Sequence, residues 1–212
     1  MITVKTFVFN PFQVNTYVVS DDSKCCTIID PACSTLEEFE TLKNYIADQR
    51  LTTTGIIITH GHVDHLLGLA LVARLYGLRP VIHRDERSFI DTAADQAALF
   101  GLPYDPYTGQ WQTVDEPDRI IVGQTEATVF TISGHSPAGM AIYCPADNCV
   151  FTGDALFRGS IGRTDLPGGD YHSLITHIRN KLLTLPPDTM VFPGHGPHTT
   201  ISYELKYNPF LT

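Results

Sequence analysis

The six-residue stretch His60-Gly61-His62-Val63-Asp64-His65 carries four side chains of the kinds that bind metal ions. It directly follows residues 55–59, an apolar and β-branched run without polar alternation, which predicts a strand covered on both faces. Three imidazoles and a carboxylate held so close together do little to stabilise a fold by themselves, because each buried polar group needs a hydrogen-bonding or ionic partner. A divalent cation supplies that partner, so the stretch predicts a metal site.

Three more ligand-type side chains stand in the same position relative to a predicted strand. His135, Asp154 and His195 each follow a short apolar run and a glycine. Sites in open α/β sheets form beyond the carboxyl ends of the strands, so we expect these side chains to meet the first stretch at one sheet edge. Seven ligands are too many for one tetrahedral zinc but suit two ions that share a carboxylate. The predicted ligands are His60, His62, Asp64, His65, His135, Asp154 and His195.

Short apolar runs alternate with helical patterns along the whole chain, which predicts an α/β layered fold. Ser34-Thr35-Leu36-Glu37 matches the capping-box pattern and predicts the start of a helix. Residues 103–117 are rich in turn formers and aromatic residues, so we expect a junction there between two halves, roughly 1–110 and 111–212, of one domain over 1–212. Further helices are predicted over residues 66–76, 85–100 and 171–185, the last being the final long helix.

Composition and charge narrow the function classes. Of the 212 residues, 43% are hydrophobic and 17% charged, which is typical of a folded chain. The 14 Lys+Arg and 23 Asp+Glu give a net charge of −9, so no broad cationic face is available for nucleic acid or anionic lipid. The five cysteines show no metal-knuckle spacing. Without an apolar run near the length of a membrane span or a signal-peptide pattern, we expect a cytoplasmic protein that binds neither nucleic acid nor membrane.

The stretch from His60 to His65 resembles the His-x-His-x-Asp-His signature of the metallo-β-lactamase fold family, and His135, Asp154 and His195 match the later ligands of that family. The resemblance implies an αββα four-layer sandwich of two similar halves with the site at one sheet edge. It also implies how the ligands divide between the ions. One ion is held by His60, His62 and His135, the other by Asp64, His65 and His195, and Asp154 bridges the pair.

A second segment, Gly159-Ser160-Ile161-Gly162-Arg163-Thr164-Asp165, is similar to the one that follows the bridging ligand in hydroxyacylglutathione hydrolases (glyoxalase II) and in persulfide dioxygenases. In the former a basic residue there helps to bind glutathione, which points to Arg163 as a substrate-binding residue. An internal ion pair between Arg163 and Asp165 is the alternative. Because only residues 196–212 follow His195, the chain most resembles the single-domain glyoxalase II-like hydrolases.

These resemblances imply a metal-dependent hydrolase of small-molecule thioesters, with hydroxyacylglutathione as the expected substrate. A hydroxide bridging two ions would attack the thioester carbonyl, and Asp64 is expected to act as the catalytic residue by accepting a hydrogen bond from that hydroxide. Zinc suits the imidazole-rich set, and iron or manganese also accept these ligands. The alternative is a persulfide dioxygenase with one iron on His60, His135 and Asp154. A homo-oligomer is compatible with the sequence.

Overall fold

The first half of the chain builds a six-stranded sheet, and the computed structural model describes residues 1–212. The strands lie side by side in chain order: β1 (Thr3–Phe9), β2 (Val14–Ser20), β3 (Cys25–Ile29), β4 (Thr52–Ile57), β5 (Val81–His83) and β6 (Gln112–Val114). The first three strands pair antiparallel, and the pairs from β3 to β6 are parallel. Strand β2 is buried along its whole length, because both faces of the sheet are covered.

The second half builds another six-stranded sheet in the order β14-β13-β10-β9-β8-β7. Only the β10–β13 pair is parallel in this sheet. A small separate hairpin, β11–β12, follows β10. The strands are β7 (Arg119–Val122), β8 (Thr125–Ile132), β9 (Gly139–Cys144), β10 (Cys149–Gly153), β11 (Leu156–Phe157), β12 (Ser160–Ile161), β13 (Met190–Pro193) and β14 (Thr199–Thr200).

Three apolar clusters separate four layers. One lies between the first sheet and the helices outside it, one between the two sheets, and one between the second sheet and its own helices. The predicted αββα sandwich is therefore confirmed. The helices are α1 (Leu36–Asp48), α2 (Leu69–Tyr76), α3 (Arg87–Ile90), α4 (Ala93–Phe100), α5 (Tyr171–His177) and α6 (Ile201–Tyr207). None of these helices has both the length and the apolar character needed to cross a bilayer.

The predicted capping box is one residue out of place. Thr35, not Ser34, is the N-cap of α1, and its side chain accepts a hydrogen bond from the Glu38 amide. The Glu38 carboxylate accepts in return from the backbone N–H groups of Thr35 and Ser34. Both Ser34 and Thr35 stand three residues before a glutamate, so the pattern alone fits either start.

Two helical predictions also need correction. Residues 85–100 form two helices, α3 and α4, separated at Thr92, whose hydroxyl bonds to the carbonyl of Phe89. The predicted last helix is α-helical only to the end of α5 and then continues as a π-helix over Ile178–Leu182. A short helix that the sequence analysis does not predict, α6, follows β14.

Phe151 anchors the cluster between the sheets and gives a stability prediction. It is fully buried, with its ring centroid 5.3 Å from that of Tyr17 and 5.1 Å from that of Phe192. We expect Phe151→Ala to lower the free energy of unfolding by about 3–5 kcal/mol, because it leaves a cavity in a packed core. Urea denaturation measures this, with Ile121→Ala as the control at a site that is 58% exposed on β7. Equal losses in the two variants would contradict the role of Phe151.

Candidate metal centre

Four strands bring the predicted ligands to one edge of the two sheets. Strands β8, β10 and β13 run in the same direction, because β9 is antiparallel to β8 and β10, and β13 is parallel to β10. Their carboxyl ends lead into His135, Asp154 and His195. In the first sheet β4 ends at Ile57, and the loop with the His60–His65 stretch follows it. The loops from both sheets meet at this edge, so all seven predicted side chains lie together.

The seven side chains form three overlapping groups, in each of which one ligand atom per residue lies within 4.8 Å of the others. Every group takes residues from both sheets. The groups are His60, His62 and His135; His60, His65 and Asp154; and Asp64, His65 and His195. The first and third are the two triads that the family resemblance implies, and the second contains the implied bridging carboxylate. This arrangement suits two neighbouring cations.

Asp154 lies between the two triads. Its Oδ2 is 3.3 Å from His195 Nε2 and 3.6 Å from His135 Nε2, and its Oδ1 is 3.4 Å from His65 Nε2. Burial alone would raise the pKa of this carboxyl, but the surrounding imidazoles, His65 foremost, hold it well below its usual range. Gly194 permits this approach, because a Cβ at that position would collide with Asp154 Oδ1. Asp154 is therefore an anion that reaches ligands of both triads.

Oxygen atoms around the cluster fix the orientation of four histidine rings. In each ring Nδ1 lies within hydrogen-bond distance of an oxygen that accepts its proton, so Nε2 is the ring nitrogen that faces the cluster. The fifth ring, that of His62, places Nδ1 2.9 Å from His135 Nε2. The four pairs are His60 with Thr59 Oγ1 (3.0 Å), His65 with Asp30 Oδ2 (2.9 Å), His135 with the Arg163 carbonyl (2.8 Å) and His195 with the Phe12 carbonyl (2.9 Å).

Asp30 is a residue of this site that the sequence patterns did not indicate. Its side chain is buried, and its carboxylate accepts from Thr59 N (2.7 Å), Thr59 Oγ1 (2.7 Å) and His65 Nδ1 (2.9 Å). Since the Thr59 hydroxyl donates to Asp30, it accepts from His60. One carboxylate thus orients two of the rings. The signal was present, because Asp30 is the first polar residue after β3, the position that the ligands occupy after their own strands.

Burial and charge give the histidines different protonation states in the metal-free protein. Burial lowers the pKa of His60 well below its usual value and that of His62 to about 4. Burial also acts to lower the pKa of His195, but hydrogen bonds to Asp154 and Asp64 outweigh it and raise that pKa to about 9. The His60 and His62 imidazoles are therefore neutral at pH 7, while His195 carries a proton that an incoming cation would replace.

The donor atoms of the cluster fit a pair of divalent metal ions. His60 Nε2, His65 Nε2 and Asp154 Oδ1 are buried and have no hydrogen-bond partner within the protein. Burying such groups without a partner is costly. Imidazole nitrogens and carboxylate oxygens are ligands for zinc, iron and manganese. Cations at the two triads would satisfy these atoms.

Glu86 ties together the two loops that carry His60 and His135. It is fully buried, and its Oε1 accepts from Gly61 N at 2.9 Å while its Oε2 accepts from Ala138 N at 2.6 Å. Burial raises the pKa of this carboxyl, and the two backbone donors oppose that shift. Glu86 contacts no ligand atom directly, so it acts by positioning the backbone on which the ligands stand.

Glu86→Gln tests this positioning. A glutamine amide offers one acceptor where two N–H groups need one each, so we expect a loss of roughly 1–3 kcal/mol in unfolding free energy. Metal affinity, measured by chelator competition, should fall as well, because the two loops lose their common anchor. Glu126→Gln, at a side chain that is 59% exposed, is the matched control. A variant with weakened stability but unchanged metal affinity would restrict Glu86 to a structural role.

Arg163 lies at the rim of the cleft above the cluster. It lines a cavity of about 170 Å³ together with Asp64, His195 and other residues of the site. Its guanidinium is exposed and pairs with Asp165 through two bonds, Nε to Oδ1 at 2.8 Å and Nη2 to Oδ2 at 2.7 Å. Both sequence interpretations of Arg163 are thus compatible with the geometry, since the ion pair forms and the residue still lines the cleft.

Comparison with known proteins identifies the class. Residues 9–195 match the family model of the metallo-beta-lactamase superfamily. The chain therefore belongs to this superfamily of metallo-hydrolases, which bind divalent metal ions.

Two curated relatives match over nearly their full length. A probable metallo-hydrolase of Bacillus subtilis (strain 168), YqgX, is 36% identical over 95% of this chain and 93% of its own. The hydroxyacylglutathione hydrolase GloC of Haemophilus influenzae is 35% identical over 94% of this chain and 93% of its own.

Solved structures show the same fold. BLEG-1, a B3 metallo-β-lactamase, superposes with a TM-score of 0.91 at 35% identity, covering 99% of this chain and 100% of its own. TTHA1623 in a di-iron-bound form gives a TM-score of 0.89, also at 35% identity, covering 98% and 100%.

Proposed function

We propose that this protein hydrolyses thioesters with two bound divalent metal ions, zinc being the favoured metal, and that hydroxyacylglutathione is a substrate. The observation that carries the proposal is the pair of complete triads joined by Asp154. The likeness to GloC of H. influenzae, a hydroxyacylglutathione hydrolase, supports the substrate class. The likeness to TTHA1623, which has been crystallised with two irons, supports a dinuclear centre.

When bound, two such ions supply a hydroxide at neutral pH and polarise a carbonyl oxygen. Asp64 is the residue that we assign to orient the attacking oxygen. Its Oδ2 lies 3.5 Å from His195 Nε2 and 3.8 Å from His65 Nε2, and its side chain lines the open cleft. Burial would raise the pKa of this carboxyl, but His65 and His195 lower it. Asp64 is therefore a carboxylate that can accept a hydrogen bond from the nucleophile and direct it at the substrate.

The leaving group needs little help from the protein. A thiolate has a conjugate-acid pKa of roughly 8.5, so it departs at neutral pH without a dedicated general acid. The cluster is consistent with this, because its titratable side chains contact one another and none stands apart to serve as a general acid. Arg163, at the cleft rim, is assigned to attract a carboxylate of the thiol carrier, in competition with Asp165.

Thiol release from S-lactoylglutathione by the zinc-loaded protein tests the proposal. We expect release by the wild-type protein and none above background by His62→Ala, which lacks one ligand of the first triad. Wild-type activity no greater than that of the variant would refute hydrolysis of this substrate. A parallel assay with a β-lactam tests whether the protein has the β-lactamase activity that its similarity to BLEG-1 suggests.

Metal content separates the hydrolase from the dioxygenase alternative. The distance of 3.6 Å between His135 Nε2 and Asp154 Oδ2 is compatible with a single ion on His60, His135 and Asp154. Protein purified without added metal should contain two ions per chain and take up no oxygen if it is the proposed hydrolase. One iron per chain with sulfide-dependent oxygen uptake would instead favour the persulfide dioxygenase.

A further inference from the structure

A second cavity, of about 290 Å³, opens beside His62 between α4 and residues 166–167. Its walls include four apolar side chains, those of Phe89, Leu99, Phe100 and Leu166. The cavity adjoins the cleft above the ligand cluster, because His62, Phe100 and Leu166 line both. The Phe89 ring lies against His62, with 5.3 Å between their centroids. A molecule held at the cluster can therefore extend directly into this cavity.

The mouth of the cavity is unusually apolar for a protein surface. Leu99 is 79% exposed and Phe100 is 49% exposed, although both are large hydrophobic side chains. The Phe100 ring also packs edge-on against Phe12, at 5.3 Å between centroids, across the entrance to the cleft. Exposed apolar side chains grouped at a cavity are typical of a binding site rather than of bulk surface.

The polar groups of the cavity do not favour an anion. The Gln96 amide is already engaged, since its Oε1 accepts from Val63 N at 3.0 Å and its Nε2 donates to Thr92 Oγ1 at 2.9 Å. No lysine or arginine lines the cavity, whereas the carboxylate side chain of Asp95 does. An anionic group placed here would lose water and meet a like charge, so the cavity suits an uncharged apolar group.

We infer that this cavity binds the acyl chain of the thioester, and that the preferred substrates carry apolar acyl groups larger than lactoyl. The inference rests on the proposed function. In an acylglutathione, the glutathione half carries two carboxylates and an aliphatic acyl half carries none, so only the acyl half matches the apolar wall beside Asp95. Arg163 lines the cleft but not this cavity, which leaves the anionic half at the cleft rim.

Binding of two thioethers tests the cavity without any hydrolysis. S-hexylglutathione and S-methylglutathione share the same carrier and differ only in five methylenes, each of which improves affinity about fourfold when buried. We expect the zinc-loaded wild-type protein to bind the hexyl compound at least about tenfold more tightly in calorimetric titrations. Equal affinities would overturn the inference.

Leu99→Ser locates the effect. We expect it to lower the ratio of hexyl to methyl affinity by at least about threefold, because it removes apolar wall area. Leu75→Ser, at a leucine that is 45% exposed on α2, is the matched control and should keep the wild-type ratio. Since Leu99 is largely exposed, its replacement is not expected to prevent folding. A ratio unchanged by Leu99→Ser would place the hexyl chain elsewhere and refute the inference.

Hydrolysis rates distinguish a failure of the inference from a failure of the proposed function. We expect a higher kcat/KM for S-hexanoylglutathione than for S-lactoylglutathione, and a smaller difference in Leu99→Ser. Hydrolysis of both thioesters at equal kcat/KM, with equal binding of the two thioethers, would leave the function standing and reject the acyl cavity. Tighter hexyl binding without hydrolysis of either thioester would reject the function and support the apolar ligand class of the cavity.

Discussion

Replacing Asp154 with alanine is expected to reduce the bound metal from two ions to one or none and to slow thioester hydrolysis by about a thousandfold or more. The carboxylate approaches His65 at 3.4 Å and His195 at 3.3 Å, and also reaches His135 of the other triad. Asp154 is thus a carboxylate that lies within 3.6 Å of histidines from both triads. Its loss removes the shared anion, and a metal ion contributes several kcal/mol of transition-state stabilisation, which corresponds to that change in rate.

Elemental analysis and thiol-release assays on the same preparations measure both effects. Asp22→Ala, at a side chain that is 99% exposed and belongs to the turn after β2, is the matched control and should keep two ions and full activity. A variant at position 154 that retained two ions and most of its activity would show that Asp154 is not the shared ligand.

Asp30→Asn should weaken metal binding about 10–100-fold while keeping the fold, which is the range found when a carboxylate that orients a histidine ligand is lost. Asp30 accepts the Nδ1 proton of His65, so Nε2 is the ring nitrogen that faces the other side chains of the cluster. An asparagine that keeps its oxygen on Thr59 N turns its NH₂ group towards His65. His65 Nδ1 can accept a hydrogen bond from this NH₂ group only when it carries no proton. The proton of the neutral ring then sits on Nε2, the atom that faces Asp154.

Chelator competition gives the metal affinity of Asp30→Asn, and urea denaturation of the metal-free protein reports its stability. Asp188→Asn, at an exposed position before β13, should match the wild type in both. Unchanged metal affinity in Asp30→Asn would mean that the His65 ring is oriented by its packing alone. A large drop in stability without a change in affinity would assign Asp30 to the core.

The proximity of the seven side chains was predictable from the sequence, because the ends of strands are local signals. The stretch after β4 and the three later positions each follow an apolar run and a short turn, and two of those turns contain glycines, Gly134 and Gly153, with positive φ. Parallel or alternate strands place their carboxyl ends at a common edge. Counting ligand-type residues at those ends was enough to collect a set that lies together.

Residues that act through another residue were harder to predict. Asp30 and Glu86 contribute a single carboxylate each, and no spacing rule links Asp30 to His65 or Glu86 to Ala138, which it contacts across the two sheets. Short secondary-structure elements were missed by the sequence analysis for a different reason. Helix α6 has only seven residues, too few for apolar periodicity to emerge, and its start depends on a cap made by Thr200 to Tyr203 N.

Because the metal-binding side chains come from both sheets, the binding of metal ions is coupled to the folding equilibrium of the protein. Since each of the three groups needs side chains from the first and the second sheet, neither half alone holds a complete set. Ions that bind only the docked state stabilise it by mass action, by about 4 kcal/mol when the free ion exceeds its dissociation constant a thousandfold. Removal of the metal ions by a chelator should therefore make the protein more susceptible to proteolysis, because the contact between its two halves becomes weaker.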